Sequence, residues 1–407
     1  FNNVYHENPE TTPDPSPNPN PSPSPGGSTG GGGGTSNTGG GRYQPSDGGP
    51  GVTISITPEE VPMTTTALLA RYDALLSDLD GVVYAGPFAI EGAPEALNRA
   101  EEELNVPVIF VTNNASRSVE SVAEHLRDLG VHTRAERVVS SAQAGAKLLA
   151  QKIPAGSKVL ITGTEALADC VRDAGLEPVR TEAEGPVALI QGFDPKMGWE
   201  DLAEAAYTLA NPEVLWIATN TDQTIPKERG QAPGNGTLVA AVATASRRTP
   251  LVAGKPEAPI FHTAAQALNS ERPVIVGDRL DTDILGANNA QMDGALVLTG
   301  VQTYRDVIEA VPEQRPTYVL RTLDDFFAPY PEIEVLFEGY EVIATGPTWQ
   351  ARVRGENLIL TGPENLDEGT FAGSESEAEA WRVAYAAWWA ANPEQAAVPV
   401  IKGLPGA

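Results

Sequence analysis

The 407-residue chain has one cysteine and four histidines. Cys170 alone excludes an internal disulfide and a thiolate zinc site. The histidines (His6, His125, His132 and His262) are scattered without metal-ligand spacing. A metal would have to be held mainly by carboxylates and carbonyls, which suits hard Mg²⁺. Positive charge is scarce as well: 27 Lys and Arg face 54 Asp and Glu, for a formal net charge of -27. That balance opposes nucleic-acid backbones and anionic membranes as partners. No apolar run approaches the ~18 residues that a bilayer span needs. The N-terminus shows no basic stretch followed by an apolar one, so no secretory signal is visible. The expectation is a soluble, cytoplasmic protein with no nucleic-acid and no membrane partner.

Glycine and proline are abundant in one place. Residues 1–62 hold 13 of the 40 Gly and 12 of the 35 Pro. Residues 9–25 alternate Pro with small polar residues, and residues 26–41 are mostly Gly, Ser and Thr. Neither stretch can bury enough apolar area to offset its ordering entropy, so 1–62 reads as a disordered tail. Met63 opens a stretch suited to a native beginning.

From residue 70 onward, apolar runs of strand length alternate with helical periodicity. The strand candidates are Ala74–Leu79, Val106–Val111, Lys158–Thr162, Val187–Gly192, Val214–Thr219, Arg272–Val276 and Ala295–Thr299. This alternation predicts βα units around a parallel sheet, with ligands at the carboxyl ends of strands. Residues 333–407 look separate: strand-like pieces at Glu334–Ala344, Trp349–Arg354 and Asn357–Thr361 precede a helix at Glu375–Ala391. Trp381, Tyr385, Trp388 and Trp389 recur on that helix at helical spacing, which gives it a strongly apolar face.

Four polar constellations sit at the ends of apolar strands or just after apolar pieces. In Leu75–Tyr84 (LLSDLDGVVY), Asp78 and Asp80 stand two apart at a strand end and point to the same side. Two buried acids need a cation, and one could then attack phosphorus while the other moves protons. A helix cap or solvated turn would use the same residues. In Val108–Ser118 (VIFVTNNASRS), Thr112, Asn113 and Asn114 precede a helix and suit an anion cradle, or plain capping by Asn114 or Ser116. In Leu251–Ile260 (LVAGKPEAPI), Lys255 could neutralise phosphate and hold a carboxylate, or sit in a surface turn. In Val274–Asn289 (VIVGDRLDTDILGANN), Asp278, Asp281 and Asp283 suit magnesium, or form an acidic turn.

In this order the four stretches resemble the motifs of the haloacid dehalogenase-like hydrolase superfamily. The resemblance implies an α/β fold: a doubly wound Rossmann-like parallel-sheet core, an inserted α/β cap and a small C-terminal α+β module. It implies Asp78 as nucleophile, Asp80 as general acid/base, Thr112 as phosphoryl binder and Lys255 as charge balance. It places Mg²⁺ on Asp78, the backbone carbonyl of Asp80, and Asp278, with Asp283 in or near the metal shell. A second Asp at position 80 goes with the phosphatases and phosphomutases of that superfamily.

Thr112 and Lys255 are 143 residues apart, whereas a βα unit needs about 30–40. The excess resembles the α/β (C2-type) cap of the 4-nitrophenylphosphatase-like branch. Tyr84, Gly92–Ala93, the run WIATNTD with Pro226 and Gly230, and PGNG at 233–236 match that branch. The expected division is core at 63–137 and 236–330, cap at 138–235, and C-terminal domain at 333–407. The extension resembles the subgroup that holds glycerol 3-phosphate phosphatases. The implied activity is Mg²⁺-dependent hydrolysis of a small phosphorylated metabolite through an aspartyl-phosphate, glycerol 3-phosphate favoured. Phosphoglycolate, pyridoxal phosphate and 4-nitrophenyl phosphate are the alternatives. Asn113 and Asn114, with Asn220 and Asp222 from the cap, are candidate substrate contacts. Tyr207 and Trp216 are expected to pack inside the cap. A homodimer through the cap is implied by the resemblance only. A rival of another class is a phospho-ligand-binding or scaffold protein acting through residues 333–407.

Overall fold

The computed structural model describes residues 66–227, 229–363 and 368–404. The tail expected over residues 1–62 lies outside the described residues. Among those described, no helix is long and apolar enough to cross a membrane.

The chain enters its first sheet with β1 (Ala74–Ser77), four buried residues. A short hairpin of β2 (Tyr84–Ala85) and β3 (Phe88–Ala89) follows, then α1 (Ala93–Leu104), β4 (Val108–Thr112), α2 (Val119–Asp128), β5 (Val138–Ser140) and α3 (Ser141–Lys152). β4 is buried along its whole length too. Strands covered on both faces read as continuous apolar runs, which is why they settle into parallel sheet under helices. Leu97 of α1 and Leu126 of α2 pack with Leu75 and Phe110 over one face.

Next come β6 (Lys158–Thr162), α4 (Glu165–Asp173), β7 (Glu177–Val179), β8 (Ala188–Gln191), α5 (Trp199–Thr208), β9 (Leu215–Ala218), a hairpin of β10 (Thr224–Lys227) and β11 (Gly230–Pro233), α6 (Asn235–Ser246) and β12 (Leu251–Val252). Five of these strands form a second parallel sheet in the order β12-β9-β8-β6-β7. Leu160, Leu189, Trp216, Ala205 and Val239 fill the side beneath α5 and α6.

The chain then returns to the first sheet through α7 (Pro259–Leu268), β13 (Pro273–Gly277), α8 (Leu285–Asn289), β14 (Asp293–Val297), α9 (Tyr304–Ile308) and β15 (Tyr318–Leu320). That sheet has six parallel strands in the order β15-β14-β13-β1-β4-β5. Connections leave β1 in both directions, so β1 is the switch point, and the carboxyl ends of β13, β1 and β4 open one crevice. Leu149 of α3 and Phe261 of α7 share an apolar cluster with Ile109 of this sheet and Ile190 of the second. The two sheets are thereby joined through a common core.

The expected cap limits shift at both ends. Residues 138–140 pair with β4 in the first sheet, and residues 251–252, counted with the core, pair with β9 in the second. Strands of two and three residues carry no periodicity to announce them.

The C-terminal module comprises β16 (Glu334–Glu338), β17 (Glu341–Thr345), β18 (Gln350–Arg354), β19 (Asn357–Thr361), α10 (Glu368–Phe371), α11 (Glu375–Ala391) and β20 (Val400–Lys402). Its five strands follow one another in sequence order, antiparallel except for the parallel β19–β20 pair. The piece expected as one strand, Glu334–Ala344, folds back at Gly339, whose φ is 62°. α11 covers this sheet, and its Val383, Ala384 and Trp388 join Leu296, Val307 and Ile308 of the six-stranded parallel domain in one cluster. The module is therefore continuous with the core rather than tethered beside it.

Candidate active site

β1 ends at Ser77, and Asp78 follows with its N–H still donating to Val276 O of β13 (2.9 Å). The sheet ladder thus fixes the backbone of Asp78. β13 ends at Gly277, immediately before Asp278, and a π-helical turn (Leu280–Ile284) brings Asp283 back over it. A Cβ on Gly277 would stand 2.2 Å from Asp283 Cβ, so only glycine leaves room for that return. Lys255 follows β12, and its Nζ reaches Asp78 Oδ1 at 2.6 Å and Asp283 Oδ1 at 2.7 Å. Asp278 Oδ2 accepts the Val301 N–H (3.0 Å).

Carboxylate oxygens of Asp78, Asp278 and Asp283 all lie within 4.8 Å of one another. Burial pushes the Asp78 carboxyl above the usual carboxylate range, against the pull of Lys255. Burial, helped by the charge of Asp283 on Asp278 and of Asp78 on Asp283, pushes both carboxyls up to about 6. Burial alone would lower the Lys255 pKa, but Asp283 and Asp78 overcome it and raise the ammonium above its ordinary value. Two buried acids and the partly buried Asp78 therefore gather around one ammonium, which pairs directly with Asp78 and Asp283. A hard divalent ion fits this donor set: all-oxygen, anionic and short of positive charge. Cys170, by contrast, sits half-buried on α4, where burial pushes its thiol up to about 11.

Asp80 lies on the exposed side of the bend, held by the buried Leu79, Val82 and Val83. Its carboxylate is not one of the clustered three. Partial desolvation raises its pKa, while Lys255, Arg117 and His125 oppose the rise. Gly81 (φ 78°) makes the bend and donates its N–H to Tyr84 O (2.9 Å). A Cβ on Gly81 would stand 2.3 Å from Asp278 Oδ2.

Thr112 closes β4, and its Oγ1 accepts the Asn114 N–H (3.1 Å), leaving the hydroxyl hydrogen free to donate. Asn113 is a junction. Its Oδ1 accepts the Lys255 N–H (2.7 Å), and its Nδ2 faces Lys255 O (3.1 Å) and Asp222 Oδ1 (3.2 Å). Its carbonyl accepts from Ser141 Oγ and Asn220 Nδ2, both at 2.7 Å. Asn220 is used up internally as well: its Oδ1 accepts the Asp222 N–H (3.2 Å). These two expected substrate contacts are struts between core and cap. Asn114 accepts from the Ser116 N–H and hydroxyl (2.9 Å each). The cap of α2 is Ser118 rather than Asn114 or Ser116. Asp222 stays next to the site, its pKa raised by burial against the Asn113 amide. Asp281 turns to Arg279 (2.8 Å) and stands apart from the clustered carboxylates. Trp216 is buried in the cap as expected, while Tyr207 is 57% exposed.

Sequence reasoning overlooked the segment after β14. Thr299 Oγ1 donates to Gly81 O (2.7 Å), and the Val301 N–H holds Asp278. The Thr-Gly pair closing an apolar strand (VLTG) was the available signal.

Comparison with known proteins places this geometry. Residues 75–177 match a haloacid dehalogenase-like hydrolase family model, and residues 252–326 match a HAD-hydrolase-like model. The D-glycerol 3-phosphate phosphatase of Mycobacterium tuberculosis is 43% identical over 306 residues, covering 75% of this chain and 83% of that protein. The glycerol-3-phosphate phosphatase of Gallus gallus is 38% identical over 266 residues, covering 60% of this chain and 85% of that one. The crystal structure of the Mycobacterium tuberculosis glycerol phosphate phosphatase in complex with magnesium superposes with a TM-score of 0.70 at 38% identity, over 83% of this chain and 95% of that one.

Proposed function

The chain belongs to the haloacid dehalogenase-like hydrolases and is a phosphoric monoester hydrolase, and from that premise we propose that it cleaves glycerol 3-phosphate with Mg²⁺ as its metal. The observation that carries the reading is the cluster of Asp78, Asp278 and Asp283 around Lys255 at the ends of β1 and β13. Asp78, Asp278, Asp283 and the carbonyl of Asp80 would hold the ion, which supplies Lewis-acid stabilisation of phosphoryl oxygens.

The residues divide the work by position. Lys255 fixes the Asp78 carboxylate through Oδ1 and balances charge on the transferring group. Asp78 attacks phosphorus in line, forming an Oδ–P bond as the P–O bond to the leaving group breaks. Asp80, exposed at the bend and outside the clustered acids, protonates the departing alkoxide. It then takes a proton from the water that attacks the aspartyl-phosphate, releasing phosphate and restoring Asp78. Thr112 donates its free hydroxyl hydrogen to a phosphoryl oxygen. The Asn113–Asp222 bond ties the cap against the core, which favours exclusion of bulk water when substrate is present.

Two observations support a polyol phosphate. The relatives named for glycerol phosphates are 43% and 38% identical. The cap presents polar groups to the core, Asn220 and the acid Asp222, while Trp216 is 2% exposed and so supplies no face for a pyridine ring. Phosphate release over a panel of phosphorylated metabolites with Mg²⁺ tests this. Glycerol 3-phosphate is expected to give the highest kcat/KM, and preference for pyridoxal phosphate or phosphoglycolate would overturn the assignment.

A further inference from the structure

Asp278 is held by backbone rather than by side chains of its own strand. It has glycines on two sides: a Cβ on Gly81 would stand 2.3 Å, and one on Gly300 2.1 Å, from its Oδ2. Its Oδ2 accepts the Val301 N–H at 3.0 Å. Residues 299–303 therefore form a clamp over this acid, latched to the opposite bend by Thr299 Oγ1 on Gly81 O (2.7 Å).

The clamp has little support of its own. Val301 is 61% exposed. The clamp ends at Thr303, which caps α9, and five residues of helix are too few to be stable alone. α9 leans on α11 of the C-terminal module. The ring of Tyr304 lies flat against Trp381, with centroids 5.6 Å apart and planes 8° from parallel. Val307 and Ile308 pack in the same cluster as Ala384 and Trp388.

α11 is itself pinned to the hydrolase core at both ends. Near its start, Arg321 bridges Asp325 (2.6 Å) and Glu375 of α11 (2.9 Å), and the buried Arg382 of α11 faces Asp325 (3.9 Å). Beyond its end, Arg315 donates to the carbonyls of Asn392 (2.8 Å) and Gln395 (3.0 Å). A fixed helix thus carries a ring that holds the first residue of α9, three positions after the N–H that orients Asp278.

We propose that the C-terminal module acts as a positioning device for the metal centre, with Trp381 and Tyr304 holding the 299–303 clamp closed on Asp278 and so setting the affinity for the divalent ion. This rests on the reading of Asp278 as a metal ligand. It gives the extension a part in catalysis without any ligand of its own. Partners behind a metal ligand typically change metal affinity by about 10–100-fold when lost. The ring pair is one step further removed, so the effect belongs at the low end of that range.

The test is calorimetric titration of Mg²⁺ into the full chain, for the wild type and for Trp381→Ala, Trp381→Phe and Leu358→Ala. Leu358 is fully buried in β19 and serves as a control for general loosening of the module. Trp381→Ala is expected to raise the Mg²⁺ Kd about tenfold, while kcat at saturating Mg²⁺ stays within about twofold. Trp381→Phe restores most of the affinity through stacking, and Leu358→Ala leaves the Kd unchanged below its melting temperature. Should Trp381→Ala fail to fold, Tyr304→Leu keeps apolar bulk without the stacked ring and carries the same expectation. An unchanged Kd in Trp381→Ala, or an equal rise in Leu358→Ala, overturns the proposal. No Mg²⁺ binding by the wild type instead overturns the metal reading beneath it.

Discussion

Replacing Lys255 by Met isolates what its ammonium does. Methionine keeps the unbranched stem but removes the charge shared by Asp78 (2.6 Å) and Asp283 (2.7 Å). Breaking a buried ion pair by removing one partner costs about 3–5 kcal/mol, because the other partner is left charged and unpaired. Here two partners are orphaned, with Asp278 alongside. The pH dependence follows from the direction of each shift. The Lys255 pKa is raised in the fold, so its contribution is fully present below about pH 10 and disappears only above that range. Asp278 and Asp283 are raised to about 6, above about 3.9 for an unfolded aspartate. Between those values the native state binds more protons, so stability falls as pH rises and the penalty is complete above about 6. Without Lys255 the window moves higher still. In EDTA at pH 7.5 the variant should be about 3–5 kcal/mol less stable than the wild type, roughly 10 °C in Tm, and the deficit should shrink at pH 5. With Mg²⁺, kcat/KM should fall by at least about 10³. Thermal melts in EDTA at the two pH values check the stability claim. Equal stability at pH 7.5, or a deficit that ignores pH, would refute the picture of three acids balanced on one ammonium.

Asp78→Asn should leave phosphate release below about 10⁻³ of wild type, and intact-mass measurement should show no phosphorylated intermediate. Gly300→Ala places a Cβ 2.1 Å from Asp278 Oδ2; a Mg²⁺ titration should show binding weakened by more than about tenfold. In the C-terminal module, the buried Glu379 accepts from Thr348 N–H, Thr348 Oγ1 and Trp349 N–H. Glu379→Gln sets an amide donor against those donors, and chemical denaturation should record a loss of about 2–4 kcal/mol.

The framework was legible because its central strands are buried along their whole length. β1 and β4 run as unbroken apolar stretches into polar motifs, and α11 carries its aromatic stripe from Trp381 to Trp389. Two kinds of feature escaped. The strands Val138–Ser140 and Leu251–Val252 are too short for periodicity, so the cap limits shifted. The roles of Asn113 and Asn220 depend on which groups face their amides across more than a hundred residues, and spacing cannot distinguish a strut from a substrate contact. The Val301 N–H was invisible for a simpler reason. A backbone donor has no side-chain signature, and the flanking Gly300 signals close approach without naming the group approached.

The charge balance of the chain constrains the order of events at the site. A protein of net charge -27 must bind a dianionic ester. Lys255 is already committed to two carboxylates, Arg279 pairs with Asp281, and Asp222 stands on the cap side bonded to Asn113. Asp78, Asp80, Asp222, Asp278 and Asp283 therefore confront an incoming phosphate with one buried ammonium among them, and Arg117 adds charge only toward Asp80 at the bend. Burial makes this repulsion weakly screened: the Debye length is ~10 Å at 0.1 M salt, but little electrolyte enters between the buried acids. The metal-free site should consequently reject phosphate, so that the divalent ion binds before the substrate. Calorimetry with inorganic phosphate should detect no binding in EDTA up to about 10 mM, equivalent to less than about 2.7 kcal/mol of affinity. Saturable binding should appear once Mg²⁺ is supplied. In the metal-free Asp278→Asn variant, with one fewer negative charge, phosphate should begin to bind. Phosphate that binds the wild type equally with and without Mg²⁺ would mean that Lys255, Thr112 and the N–H groups after β4 form a sufficient anion site, and the acids would then be spectators to substrate entry.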